Sequence, residues 1–173
     1  MFEFCEINQI KRIETEMNED GLFTLIIKPM NSRKATLFTA HLTAKLHNWN
    51  EIKDLGYVRS ETAGFEVKEN TWCEADTSFI AFTKVSKEEQ DSWEGLNKKA
   101  PTLLGEVSGN HKNALIDIKK TQKYWMPAGT DYALIFDLEI KKYYFFNRST
   151  SYSTHSFSEK FIAPSDILSD FLT

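Results

Sequence analysis

The sequence predicts a mixed α/β or α+β domain in which a central mixed β-sheet is flanked by helices. One long stretch, residues 35–54, repeats apolar residues at helical spacing. Several shorter runs rich in β-branched and aromatic residues follow it, and a second helical stretch precedes the last two of those runs. With 173 residues, 41% of them hydrophobic and 13% aromatic, the chain can fill one core. We therefore expect a single domain over residues 1–173.

Composition excludes several classes of protein. The two cysteines, Cys5 and Cys73, have no CxxC spacing, which argues against a disulfide scaffold and a structural zinc site. No apolar run is long enough to span a membrane, and the acidic start of the chain is unlike a signal peptide, so we expect a cytoplasmic protein. The net charge of −4 excludes an overall basic field for coating nucleic acid. Local contact with nucleic acid stays open.

The N-terminal third predicts a helix, a strand and a longer helix. Ile7, Ile10, Ile13 and Met17 recur every three or four residues, which predicts a short amphipathic helix. A turn signal at residues 18–21 then leads to a strand at 22–27. In the helix at 35–54, one apolar stripe is formed by Phe38, Leu42, Leu46, Trp49 and Ile52, with Gly56 as its expected C-cap.

The remaining two thirds alternate between apolar runs and polar turns. Ser86 and Glu89 have the capping-box spacing and predict a helix at 87–98. A second helix is expected at 114–125, ended by Pro127, and a third at 165–172, after a polar stretch at 148–158. The expected strands lie at residues 57–58, 64–67, 76–82, 101–108, 132–138 and 141–147.

Two carboxylates stand in runs that otherwise predict buried strands. Glu106 lies near the end of an apolar strand, and Asp76 opens another. A buried charge needs a cation, a metal or a cleft, and two carboxylates on neighbouring strands can hold one Mg²⁺ with oxygen ligands at about 2.0–2.1 Å. Lys120, on the following helix, could fold back towards them. The alternative is structural: Glu106 pairs with a core lysine or arginine, and Asp76 is a turn residue at a strand edge.

The order of these residues resembles a known family. The sequence contains, in turn, Asp76 before an apolar strand, a Pro-led strand ending Glu-Val-Ser at residues 101–108, an Asp-x-x-Lys-x-x-x-Tyr helix at Asp117, Lys120 and Tyr124, an Ala-Gly turn at 128–129, and a strand ending in Asp137. This set is similar to the Uma-two family of restriction-endonuclease-like proteins, a branch of the PD-(D/E)xK nuclease superfamily. The resemblance covers roughly residues 15–172.

The resemblance implies a restriction-endonuclease-like core and metal-dependent hydrolysis of DNA phosphodiester bonds. Asp76 and Glu106 match the carboxylates that bind Mg²⁺ or Mn²⁺. Lys120 matches the lysine that, in this branch, has moved to the following helix, which leaves Ser108 in the usual lysine place. DNA as the partner and a homodimer are further implications. Basic side chains near the predicted site, Lys119 and Lys123, are candidates for phosphate contact.

Three departures from the family pattern favour an alternative. Met17 stands where the family often has Glu, Lys34 where it often has His, and Ala75 where it has Pro. Lys34 would offer a cation for nucleic acid in place of that histidine. The alternative function is a catalytically inactive nuclease fold, or an acidic binding module such as a nuclease inhibitor, which the pI near 5.6 also fits.

Overall fold

The structure is a computed structural model that describes residues 10–17, 23–29, 32–164, 168 and 171. The chain divides into two compact units, Met1–Arg33 and Lys34–Thr173. The single domain expected over residues 1–173 stays a prediction. Among the described helices, none is both long enough and apolar enough to cross a membrane.

The first unit contains a two-stranded antiparallel sheet. Strand β1 (Ile10–Met17) pairs with β2 (Phe23–Pro29), and Ile13 lies opposite Ile27. The predicted N-terminal helix is therefore wrong over residues 10–17, while Ile7 lies outside the described residues. Short segments with isoleucines three apart fit either structure, and pairing with the β-branched strand β2 decides between them.

Helix α1 (Arg33–Lys53) confirms the strongest helix prediction. Leu42 and Leu46 are buried, as the stripe predicts, but Ile52 is 84% exposed because it lies in the last turn. The predicted glycine cap is wrong. Asp54 takes the left-handed conformation after the helix (φ 48°), and Gly56 begins the next strand, where a Cβ atom would overlap the Phe79 ring.

The second unit is built on a six-stranded mixed sheet, which confirms the predicted fold class. Only β5 and β6 run parallel; all other neighbours are antiparallel. The predicted strands at 57–58 and 64–67 belong to one long strand. In order across the sheet, the strands are β3 (Gly56–Lys68), β4 (Thr71–Ala81), β5 (Leu103–Ser108), β6 (Tyr132–Asp137), β7 (Lys142–Asn147) and β8 (Tyr152–Ser156).

Helix α2 (Lys87–Asp91) is much shorter than the predicted helix at 87–98. Ser86 caps it as predicted, since its hydroxyl accepts the Glu89 N–H at 3.2 Å. The chain then leaves the helix because the backbone of Asn97 pairs with β3: its N–H donates to Gly64 and its carbonyl accepts from Glu66. Tertiary pairing has overridden local helix propensity.

Helix α3 (His111–Lys120) connects the parallel strands β5 and β6. It starts three residues before the predicted position, at an Asn110 cap that accepts the Asn113 N–H. One π-helical turn, Thr121–Trp125, extends it to the predicted end and is closed by Met126 N–H donating to the Thr121 carbonyl. Such turns are rare and often mark functional sites.

Two regions near the C-terminus differ from the sequence analysis in different ways. The polar stretch at 148–158 contains the edge strand β8, which pairs with β7 through backbone groups and needs no apolar pattern. The helix predicted at 165–172 falls mostly outside the described residues.

The two faces of the sheet carry separate apolar clusters. On one face, α1 packs against Leu103 and Val107 of β5. On the other face, α3 and the π-helical turn pack against Leu104 of the same strand. Because side chains alternate along a strand, Glu106 and Ser108 share the α3 face with Leu104. Asp76 and Glu106 lie on β4 and β5, the second and third strands of the sheet.

Gly105 provides a test of the packing between β5 and α1. A Cβ atom at this position would lie 2.6 Å from Thr77 Cγ2 and 3.0 Å from Leu42 Cδ2. We expect Gly105→Ala to lower the free energy of unfolding by about 1–3 kcal/mol, measured by urea denaturation. In a Thr77→Ser background, which removes Cγ2, the same substitution should cost less. Equal costs in both backgrounds would contradict this packing.

Candidate active site

Asp76 lies where β4 separates from β5. The regular pairing of the two strands stops at Thr77 opposite Gly105. Beyond that point the Asp76 carboxylate replaces a backbone partner, because its Oδ2 accepts the Val107 N–H at 2.8 Å. The side chain is thereby fixed beside β5, next to the strand position of Glu106. Asp76 is a strand residue, so the turn-residue alternative is wrong.

A β-bulge in β3 faces Asp76 from the other side. Ser60 pairs with Thr77 and Ala63 pairs with Ala75, so residues 61 and 62 together oppose Asp76. Bulges of this kind bend a strand and redirect its side chains, and they are common next to active sites. The irregular pairing on both sides of Asp76 distinguishes this part of β4 from the regular sheet around it.

Glu106 is buried on the α3 face of β5, with 4% of its surface exposed. Its Oε1 forms an ion pair with Lys120 Nζ at 2.5 Å. Lys120 also donates a hydrogen bond to the Glu74 carbonyl at 3.2 Å. The lysine therefore joins β4, α3 and β5 at one point. The structural alternative expected a core lysine or arginine beside Glu106, and that residue is Lys120, the same lysine that matches the family pattern.

Helix α3 supplies a second polar side chain to this point. Asp117 precedes Lys120 by three residues, which places the two on the same side of the helix. The Asp117 Oδ2 accepts a hydrogen bond of 2.5 Å from the Ser108 hydroxyl. Beneath the lysine, the ring of the fully buried Trp125 has its centroid 5.9 Å from Nζ. The π-helical turn thus brings an aromatic face against the cation.

The charges in this cluster shift one another's pKa values. Burial raises the pKa of Glu106; the Lys120 ammonium opposes that shift, and the charges of Asp117 and Asp76 add to it. Burial lowers the pKa of Lys120, but the charges of Glu106 and Asp117 outweigh it, so the pKa of Lys120 is raised overall. The net effect raises the pKa of Glu106 to about 8, so the Lys120 ammonium favours the ionised form of Glu106 but does not fully offset burial.

Asp76 and Glu106 carry carboxylate oxygens, the ligand type that a hard divalent cation takes. Both side chains offer oxygen ligands, and a cation would share Glu106 Oε1 with the Lys120 ammonium, which lies 2.5 Å away. No group of three or more His, Cys, Asp or Glu side chains converges on one point within the described ranges. A cation bound by Asp76 and Glu106 would therefore keep most of its positions for water and substrate oxygens, as Mg²⁺ commonly does.

The three basic residues that were expected to contact nucleic acid do not lie on the same face of the sheet. Lys119 on α3 and Lys123 in the π-helical turn are exposed and four residues apart, next to Lys120. Lys34 is exposed in the first turn of α1, which packs on the opposite face of the sheet. Lys119 and Lys123 thus lie on the same helical segment as Lys120, and Lys34 lies on the other face of the sheet.

Asp117 and Trp125 received no role in the sequence analysis. The three-residue spacing of Asp117 and Lys120 was the available signal for the first. Trp125 has no comparable signal, because only the π-helical turn brings its ring under Lys120. A neighbouring pair was also missed: His111 Nδ1 lies 2.6 Å from Asp137 Oδ2, at the adjacent ends of α3 and β6.

Comparison with known proteins supports the fold. No family model matches the chain, and no curated protein sequence matches it. The structure is similar to that of a putative nuclease belonging to DUF820 from Anabaena variabilis ATCC 29413. The TM-score is 0.64 at 14% sequence identity, and the match covers 88% of this chain and 83% of that chain. At this identity the likeness shows a shared fold.

The ion pair between Lys120 and Glu106 provides a second test. Lys120→Met keeps the length of the side chain but leaves Glu106 buried without its cation. We expect the free energy of unfolding to fall by about 3 kcal/mol, measured by chemical denaturation. The matched control is Lys119→Met, an exposed neighbour, with an expected change within about 0.5 kcal/mol. Adding Glu106→Gln to Lys120→Met should recover part of the loss, and similar losses for the two lysines would contradict the pair.

Proposed function

We propose that the protein is a metal-dependent endonuclease that hydrolyses phosphodiester bonds of DNA. The observation that carries this proposal is the meeting of three side chains from separate elements. Asp76 on β4 is anchored to the Val107 N–H, Glu106 is buried on β5, and Lys120 on α3 contacts Glu106 at 2.5 Å. Two carboxylates and an ammonium beside a bend in the sheet are the groups that such a reaction needs.

Each of the three side chains has a distinct role in the proposed reaction. Asp76 and Glu106 would hold Mg²⁺ or Mn²⁺, which, when bound, polarises the scissile phosphate as a Lewis acid. Lys120 would donate a hydrogen bond to the attacking water and hold its oxygen in line with the phosphorus. Its charge would also stabilise the negative charge that develops on the phosphate oxygens. Asp117, with its hydroxyl partner Ser108, would keep α3 in the position that points Lys120 at the site.

The comparison with solved structures adds support. The fold neighbour from Anabaena variabilis is named as a putative nuclease of DUF820, and the order of Asp76, Glu106 and Lys120 resembles the Uma-two pattern. Membership of that family, DNA as the substrate and a homodimer belong to this proposal. Sedimentation would test the homodimer.

One observation favours the alternative, a nuclease fold that binds without cleaving. The charge of Glu106 is already balanced by Lys120, so the cluster is complete without a metal ion. A protein of this kind would bind no divalent cation at the pair. Metal binding therefore separates the two functions.

Metal binding is the first test. Titration of the wild-type protein with Mg²⁺ or Mn²⁺ should give heat of binding by calorimetry, and Asp76→Ala should lower the affinity more than tenfold because one of two carboxylate ligands is lost. Glu66→Gln, which changes an exposed carboxylate on β3, is the control and should bind like the wild type. No binding at millimolar metal would overturn the proposal.

DNA cleavage assays on the same set of variants distinguish the role of Lys120 from that of the two metal ligands. Lys120→Met should still bind the metal ion, because both carboxylates remain, while the rate of DNA cleavage should fall about 100-fold or more. Parallel loss of metal binding and cleavage would instead give Lys120 a structural role only.

Salt dependence tests the proposed phosphate contacts. Lys119→Gln and Lys123→Gln should each weaken DNA binding and reduce the slope of log affinity against log salt by about 0.9. Fluorescence anisotropy with labelled duplex at several salt concentrations measures that slope. Lys45→Gln, an exposed position on α1, serves as the control. An unchanged slope for a given lysine would remove that residue from the interface.

A further inference from the structure

A cavity of about 440 Å³ lies along the outer strand β3, beside the bulge that faces Asp76. Its volume is in the range of pockets that hold small organic ligands. The wall is formed by β3 on one side and by the segment that follows α2 on the other. Its polar and aromatic members are Arg59, Ser60, Glu61, Gln90, Trp93 and Asn97.

Two of these side chains carry buried polar atoms that have no partner among the described residues. They are Arg59 Nε, a hydrogen-bond donor, and Gln90 Oε1, an acceptor. Gln90 is only 3% exposed, and its Nε2 donates to the Val85 carbonyl at 2.9 Å and to the Ile80 carbonyl at 3.3 Å. Those two bonds fix the amide, so the oxygen is left to accept from something else. Buried groups left in this way are uncommon and costly.

Arg59 forms no ion pair with a carboxylate of the described residues. The nearby carboxylate of Asp91 accepts the Tyr57 hydroxyl at 2.7 Å, and the guanidinium carbon lies 5.8 Å from the centroid of the Tyr57 ring. A partly buried guanidinium in this setting is suited to donate to an acceptor that enters the cavity.

The cavity lies on the same face of the sheet as Glu106. Ala63 and Trp93 pack against the apolar cluster that contains Ile118 and Trp125 from the α3 side. Gly64 lines the cavity and pairs with Glu74, whose carbonyl accepts the Lys120 hydrogen bond. One strand spacing, about 4.8 Å, therefore separates the cavity wall from the strand that carries Asp76.

We infer that this cavity binds a nucleobase of the DNA strand whose phosphate lies at Asp76 and Glu106, an inference that rests on the proposed function. Trp93 would stack on the base, the Arg59 guanidinium would donate to a ring or carbonyl acceptor, and a small shift of Gln90 on binding would bring its Oε1 to an N–H of the same edge. Every nucleobase presents a donor beside an acceptor, and every base has a face for stacking. The base must be unpaired, because a base within a duplex cannot enter a side cavity.

The test is a binding assay in EDTA, where cleavage cannot occur. A labelled single-stranded oligonucleotide is titrated with the protein and followed by fluorescence anisotropy. One nucleotide at a time is replaced by an abasic unit, which keeps the phosphates and removes the base. We expect one position at which the abasic unit lowers the affinity about 5- to 150-fold, the range for loss of one stacked base.

Variants connect that position to the cavity. Trp93→Leu and Arg59→Met should each weaken binding of the intact oligonucleotide by about the factor that the abasic unit causes in the wild type. In both variants the abasic unit should have no further effect. Lys68→Met, which removes an exposed positive charge from the far end of β3, should change the affinity less than twofold. Circular dichroism checks that each variant is folded. The abasic series uses the wild-type protein, so that test does not depend on the folding of any variant.

Several outcomes would overturn the inference. One is an abasic series in which no position lowers the affinity. Another is an equal loss of affinity in Arg59→Met and Lys68→Met, which would show that only the positive charge matters. If a free nucleoside monophosphate competed with the same affinity as the oligonucleotide, the base would not need to belong to a bound strand, and the inference would fail. Failure here is distinguishable from failure of the proposed function: cleavage without a base-dependent position refutes the cavity alone, and a base-dependent position without metal binding refutes the nuclease alone.

Discussion

The ion pair between Glu106 and Lys120 is the interaction on which the rest of the second unit depends. A carboxylate that is 4% exposed in a core strand is unfavourable unless a cation stands beside it. Lys120 can reach Glu106 only if α3 packs against β5 in its observed register, with Ile118 in the apolar cluster and the π-helical turn following at once. The pair therefore specifies how the helix between the two parallel strands lies on the sheet. Replacing such a pair with apolar residues often stabilises a protein, so its presence here favours a functional reason for keeping the charges.

Strand β4 shows how a bend in a sheet can create a site. Up to Thr77 it pairs regularly with β5, and beyond that residue the Asp76 side chain replaces a backbone acceptor for Val107. The bulge in β3 opposite Asp76 releases the pairing on the other side. A carboxylate in a regular sheet would point straight out from one face. Where β4 separates from β5, the Asp76 carboxylate instead lies between the two strands, next to Glu106, whose side chain is on the α3 face.

A residue whose chemistry conflicts with burial can be identified from the sequence, whereas an element that is decided by tertiary pairing cannot. Glu106 was identifiable because a charge inside an apolar strand demands an explanation, and the order of Asp76, Glu106 and Lys120 added the lysine. The Ser86 cap predicts the start of α2, but no local sequence pattern indicates that the backbone of Asn97 pairs with β3. The same reason explains β1, taken for a helix, and β8, whose polar residues are held by backbone pairing alone. The bulge and the π-helical turn are likewise products of packing, so Trp125 had no sequence signal.

The cavity beside β3 and the carboxylate pair share the same irregular stretch of backbone. Gly64 of the cavity wall pairs with Glu74, and the Glu74 carbonyl in turn holds the Lys120 ammonium. A ligand that pulled β3 towards Trp93 would act on β4 through that pairing, and hence on the distance between Lys120 and Glu106. Since the Lys120 ammonium and a divalent cation would share the Glu106 carboxylate, a small displacement of β4 changes the balance between them. If the cavity binds a base and the carboxylates bind a cation, as proposed, the two events would be coupled through the Gly64–Glu74 pairing and the Glu74–Lys120 hydrogen bond, so that recognition of a substrate strand would prepare the site for chemistry.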